Sequence, residues 1–166
     1  MSETMIAAQL YTVREMLKTP RDIASTLKEV KRIGYDAVQL SGLGPIDTGE
    51  LKKILDGEGL EACATHISMD RLRNEIEKVI EEHKILNCKY TACPSLPGEY
   101  RSEIGFKKAA EELTMIGKKL KEAGIILTYH NHGAEFEKFG SRIGLEILYD
   151  ESDAEYLQGE IDTYWV

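Results

Sequence analysis

The stretch Ile125–Glu135, I-I-L-T-Y-H-N-H-G-A-E, decides how the chain is read. A short apolar run, Ile125–His130, leads directly into His130, Asn131 and His132, and Glu135 follows. Two imidazoles, an amide and a carboxylate at the end of a buried strand are costly there unless they bind something. Gly159–Trp165, G-E-I-D-T-Y-W, has the same design and brings Asp162 to a second strand end. These two ends are expected to face one pocket.

Outward from this stretch the same unit recurs. Toward the N-terminus, Gly124 closes a helix whose inner face is Phe106, Ala109, Ala110, Leu113, Ile116 and Leu120. Before it come strands at Ile6–Tyr11, Tyr35–Leu40, Leu60–Ile67 and Cys88–Cys93. Thr19-Pro20-Arg21-Asp22 opens the first helix with a capping threonine, a proline suited to the first helical position and an early acid. Ile23, Leu27, Val30 and Ile33 keep its helical spacing. Leu51, Ile54 and Leu55 mark a second helix, and Leu72, Ile76, Val79 and Ile80 a third. Toward the C-terminus a weaker helix covers Ile143–Tyr149, and a sixth strand covers Tyr156–Thr163. Gly34, Gly59, Asn87 and Gly124 each stop a helix just before a strand.

Near-continuous apolar strands alternating with helices indicate a parallel sheet covered on its faces. That leaves a β/α barrel or an open doubly wound sheet. Gln9, Ser41, His66, His130, His132 and Asp162 all fall at C-terminal strand ends, which a barrel gathers around one mouth. G-x-G-x-x-G after the first strand and G-x-x-x-x-G-K-[ST] are both absent, so nucleotide-binding signals are missing. The expected fold is therefore an α/β barrel of the TIM (β/α)8 type. It is incomplete, with six strands and about five helices where a full barrel has eight of each, and residues 1–166 form one partial domain.

Composition narrows the partners. The chain has 166 residues and a net charge of −8, which argues against a nucleic-acid backbone or an anionic membrane surface. No 18-residue apolar run is present. The start, M-S-E-T-M-I-A-A-Q-L, lacks the basic flank and apolar core of a signal peptide. Cys63, Cys88 and Cys93 show no C-x-x-C spacing and read as buried thiols, which fits a cytoplasmic location.

Three stretches carry a resemblance to the sugar phosphate isomerase/epimerase group of xylose isomerase-like TIM barrels. They are Gln9-Leu10-Tyr11-Thr12-Val13-Arg14, Tyr129-His130-Asn131-His132 with Glu135-Phe136, and Asp162-Thr163-Tyr164-Trp165-Val166. The resemblance covers the whole chain, and the chain covers about the first two-thirds of such a barrel. It implies one divalent metal (manganese, magnesium, cobalt or zinc) on ligands from strands five to eight. Asp162 matches the strand-six aspartate ligand. At strand five many relatives have a glutamate where this chain has His130, so His130, His132 and Glu135 are all candidates there. The ligands of strands seven and eight lie outside the chain.

The implied chemistry is proton transfer through an enediolate of an open-chain sugar or sugar phosphate. His130 and Asp162 are taken as metal ligands, and Glu135 and His132 as catalytic groups. Gln9, His66 and Trp165 are taken as substrate contacts, although Gln9 could equally fill a barrel layer and Trp165 the core. A lyase of the inosose-dehydratase kind and a non-catalytic binding fragment are the alternatives. A DNA-repair endonuclease on the same fold is disfavoured by the acidic charge. The expected partners are a small sugar and either a second copy of the chain or the missing C-terminal third of a barrel. His83, beside Glu81 and Glu82, is expected to face solvent.

Overall fold

Local signals become local structure at the first helix. In a computed structural model, which describes residues 5–166, helix α1 (Pro20–Ile33) opens on a capping box. The Thr19 hydroxyl accepts from Asp22 N–H at 3.2 Å, and the Asp22 carboxylate accepts from Thr19 N–H at 3.2 Å. Gly34 ends the helix with φ 117°, a left-handed conformation that glycine adopts without a Cβ penalty.

The chain forms two units, residues up to His66 with Glu81–Lys89, and Ile67–Ile80 with Tyr90–Val166. The first holds three parallel strands, β1 (Ala7–Gln9), β2 (Ala37–Leu40) and β3 (Glu61–His66), with Gln9 opposite Gln39 and Leu40 opposite Thr65. Helix α1 follows β1, and α2 (Thr48–Glu58) follows β2. Leu10, Leu17, Ile23, Leu27, Val38 and Leu55 are the centre of its core.

The second unit begins with α3 (Met69–Asn74) and the first turn of α4 (Ile76–Leu86). Its parallel strands are β4 (Tyr90–Cys93), β5 (Ile126–His130) and β6 (Gln158–Glu160), with Cys93 opposite Tyr129 and His130 opposite Glu160. The long helix α5 (Glu103–Glu122) lays Phe106, Ala109, Ala110, Leu113 and Leu120 against this sheet's core, and α6 (Gly144–Asp150) adds Ile147 and Leu148. Gly117 of α5 lies against the Tyr156 carbonyl, and a Cβ there would come within 2.0 Å of that oxygen.

Six parallel strands alternating with helices agree with the sequence reading, and the differences are local. The expected third helix is two, broken at Glu75 (φ −129°, ψ 27°), where the Glu75 N–H ends α3 on Arg71 O and the Glu75 carbonyl starts α4 by accepting from Val79. β1 is shorter than Ile6–Tyr11, because the chain turns at Leu10 into a 3-10 segment and the Thr12 hydroxyl donates back to Gln9 O at 2.7 Å. β6 is shorter than Tyr156–Thr163, because Tyr156 and Leu157 donate to Asp153 O in a turn and Asp162 N–H donates to a side chain. A two-residue ribbon, Lys138–Phe139 with Arg142–Ile143, was not foreseen. Cys88 and Cys93 are buried as expected, but Cys63 is only half-buried, with its thiol directed to Val38 O at 3.3 Å.

Candidate functional site

The side chains at the ends of β5 and β6 are set by register. In parallel strands residues two apart share a face. His130 lies opposite Glu160, and Asp162 follows two residues on, past the end of β6. The His130 ring, 8% exposed, therefore has a carboxylate on each side. Nδ1 lies 3.0 Å from Glu160 Oε1, and Nε2 lies 3.6 Å from Asp162 Oδ2. A neutral imidazole offers one N–H and one lone pair. With Nδ1 turned to Glu160, Nε2 is the ring nitrogen on the Asp162 side.

The residues after His130 build the wall of this site. The His132 ring stands edge-on to His130, with centroids 4.9 Å apart, and Trp165 packs on His132 at 5.6 Å. Trp165 is 42% exposed, so it flanks the site and does not fill the core. Glu135 is buried, and both its oxygens accept: Oε1 from the Tyr129 hydroxyl at 2.6 Å and Oε2 from His132 N–H at 2.8 Å. Burial first, and then the Glu135 charge, push the Tyr129 phenol upward. Tyr149 donates to Tyr129 O at 3.2 Å, and burial, with the nearby Glu160 and Glu135 charges, raises its phenol to about 12.

Asn131 is fully buried, and its amide meets the backbone after β6. Its amide donates from Nδ2 to Asp162 O at 3.1 Å and accepts at Oδ1 from Asp162 N–H at 3.0 Å. The same carbonyl accepts from Trp165 N–H at 3.2 Å, and Asp162 Oδ1 accepts from Tyr164 N–H at 3.0 Å. The other carboxylate oxygen, Asp162 Oδ2, is the one that faces His130.

His130, His132, Glu135, Asp162 and Trp165 thus gather within the second unit. Gln9 and His66 belong to the first. Gln9 closes β1, and its buried Oε1 has no hydrogen-bond partner among the described residues. His66 closes β3, with Nδ1 3.1 Å from Ser41 Oγ. His83 does not face solvent: it is 2% exposed, with Nε2 2.8 Å from Thr65 Oγ1. Its place four residues after Val79 and three before Leu86 puts it on the apolar stripe of α4, a spacing that its acidic neighbours concealed.

Sequence reasoning noticed Asn131 without giving it a role, and gave none to Glu160 or Tyr129. The alternation of Glu160 with Asp162 was visible. The buried partners of Glu135 and Asp162 were not, because nothing in the local pattern marks them.

No family model matches the chain, and no curated protein does. Solved structures do. A sugar phosphate isomerase/epimerase from Parabacteroides distasonis ATCC 8503 superposes with a TM-score of 0.82 at 24% identity, over 99% of this chain and 68% of its own. An AP endonuclease, family 2, from Brucella melitensis gives 0.72 at 12% identity, over 99% and 70%. A xylose isomerase-like TIM barrel protein from Mycobacterium smegmatis, in complex with magnesium, gives 0.66 at 14% identity, over 96% and 64%. The fold is therefore that of a TIM barrel, of which the chain spans about two-thirds: 64–70% of the length of these three structures.

Proposed function

We propose that the chain belongs to a metal-dependent sugar or sugar-phosphate isomerase or epimerase. The observation that carries this reading is the His130 imidazole held between the Glu160 and Asp162 carboxylates. Nitrogen and carboxylate oxygen donors suit a divalent cation such as manganese, magnesium, cobalt or zinc. His130 Nε2 and Asp162 would hold it, and Glu160 would fix the ring through Nδ1, the usual arrangement of an outer carboxylate behind a histidine ligand. When bound, such a cation supplies positive charge beside the sugar's carbonyl and hydroxyl oxygens.

The remaining roles fall to groups of the chain itself. His132, at the rim beside Trp165, is placed to carry the proton taken from the carbon next to the carbonyl. Glu135 holds the His132 backbone, with Oε2 accepting from His132 N–H and Oε1 from the Tyr129 hydroxyl. The Trp165 indole offers an apolar face against which a sugar ring can stack. The fold is shared with an AP endonuclease, but the net charge of −8 opposes a nucleic-acid substrate.

The test is calorimetric titration with manganese of the wild type and of Asp162→Ala. Micromolar binding that weakens at least tenfold in the variant is expected, followed by interconversion of ketose and aldose in a substrate screen. No binding by the wild type would overturn the reading and leave the chain a binding fragment. Loss of water in place of isomer exchange would make it a lyase.

A further inference from the structure

We infer that Asn131 is a positioning residue, whose amide clamps the turn Asp162–Trp165 and thereby sets both the acid and the indole of the site. The part of this inference that concerns metal rests on the function proposed above; the clamp itself does not.

Asn131 lies one residue beyond β5, its side chain is completely buried, and it spends both functions of its amide on one residue, Asp162. Because one partner is a backbone N–H and the other a backbone carbonyl, only one orientation of the amide satisfies both. The arrangement copies a pair of sheet hydrogen bonds past the point where β6 ends at Glu160. The clamped carbonyl is also the acceptor of the Trp165 N–H, so the clamp and the turn share an atom. The Asp162 side chain is divided: Oδ1 is held by Tyr164 N–H, while Oδ2 faces His130. With backbone and Oδ1 both fixed, the direction of Oδ2 follows from Asn131.

Asparagine is the residue type this needs. Aspartate of the same shape would lose the donor and set a carboxylate against the Asp162 carbonyl, and alanine would take the partner from Asp162 N–H and leave the Asp162 carbonyl to Trp165 N–H alone. A glutamine carries the same amide one methylene too far from the backbone it must meet.

Trp165 is the single tryptophan of the chain, so its fluorescence reports the turn without any metal. The experiment compares wild type, Asn131→Asp, Asn131→Ala and Asp162→Asn by indole anisotropy, acrylamide quenching and manganese titration, with far-ultraviolet circular dichroism as the check on folding. In the two Asn131 variants the expected results are lower anisotropy and about twofold easier quenching. Manganese affinity should also fall about 10–100-fold, the usual loss when an outer partner of a ligand is removed. Asp162→Asn should keep the wild-type indole signals, because the clamp holds backbone, while losing manganese.

Wild-type indole signals in folded Asn131 variants would overturn the inference. If those variants fail to fold, amide exchange in the wild type decides: Asp162 N–H protected although it lies outside the sheet supports the clamp, and exchange at the rate of an exposed loop overturns it. A released indole in the variants together with no manganese binding in the wild type would uphold the clamp and sink the metal reading alone.

Discussion

Burial at Tyr129 and Glu135 ties a carboxylate to a single phenol. Tyr129→Phe removes the donor to Glu135 Oε1 and leaves that buried oxygen unsatisfied, at a cost of about 1–3 kcal/mol. Urea denaturation should show this as a lower midpoint with an unchanged slope. At Cys93, burial raises the thiol to about 12 from its ordinary value of 9.0. A group whose folded value is raised contributes its full stability below the unfolded value and loses it as pH rises toward the folded one. Stability should therefore decline between about pH 9 and pH 12, by up to about 1.4 kcal/mol per pH unit for this thiol. Equilibrium unfolding at pH 8, 9.5 and 11 checks the sign. A thiol reagent at pH 8 should label half-buried Cys63 well before Cys93.

Elements follow their local signals where those signals are strong. Thr19→Ala removes the capping hydroxyl of α1 and should destabilise by about 1 kcal/mol, read as a drop in thermal midpoint. Gly117→Ala should destabilise by about 1–3 kcal/mol, since its Cβ would collide with the Tyr156 carbonyl unless α5 moves. The first helix was fully legible because threonine, proline, aspartate and glycine each have one physical use there. The break at Glu75 was not, since neither glycine nor proline marks it and the apolar spacing runs through. The length of β6 was equally hidden. Whether Asp162 N–H meets a strand or the Asn131 amide is decided by a residue 31 positions away.

Across the molecule, strand–helix alternation gave a parallel α/β sheet, because each parallel strand needs a covering crossover, and the polar residues at the C-terminal strand ends then favoured the barrel over a doubly wound sheet. The gathering of His130, His132 and Asp162 at the β5 and β6 ends was legible for the same reason: strand ends are where a polar residue after an apolar run stands out. The division of labour among them was not, since it depends on which oxygens are already engaged. After β6 the apolar side chains of Ile161, Tyr164, Trp165 and Val166 are all exposed. Such a cluster favours association, and light scattering of the 166-residue chain should give a mass above that of a monomer; a stable monomer would count against it.

Buried Tyr129 and half-buried Tyr149 give the protein a change in ultraviolet absorbance. Phenolate absorbs at longer ultraviolet wavelengths than phenol, and both hydroxyls are held back from ionising by burial and by neighbouring carboxylates. During an alkaline titration their share of the absorbance arrives late. Tyr129, the more deeply buried of the two, is expected to ionise after Tyr149, so a spectrophotometer alone can follow the second unit as the pH rises, with no dye, label or substitution.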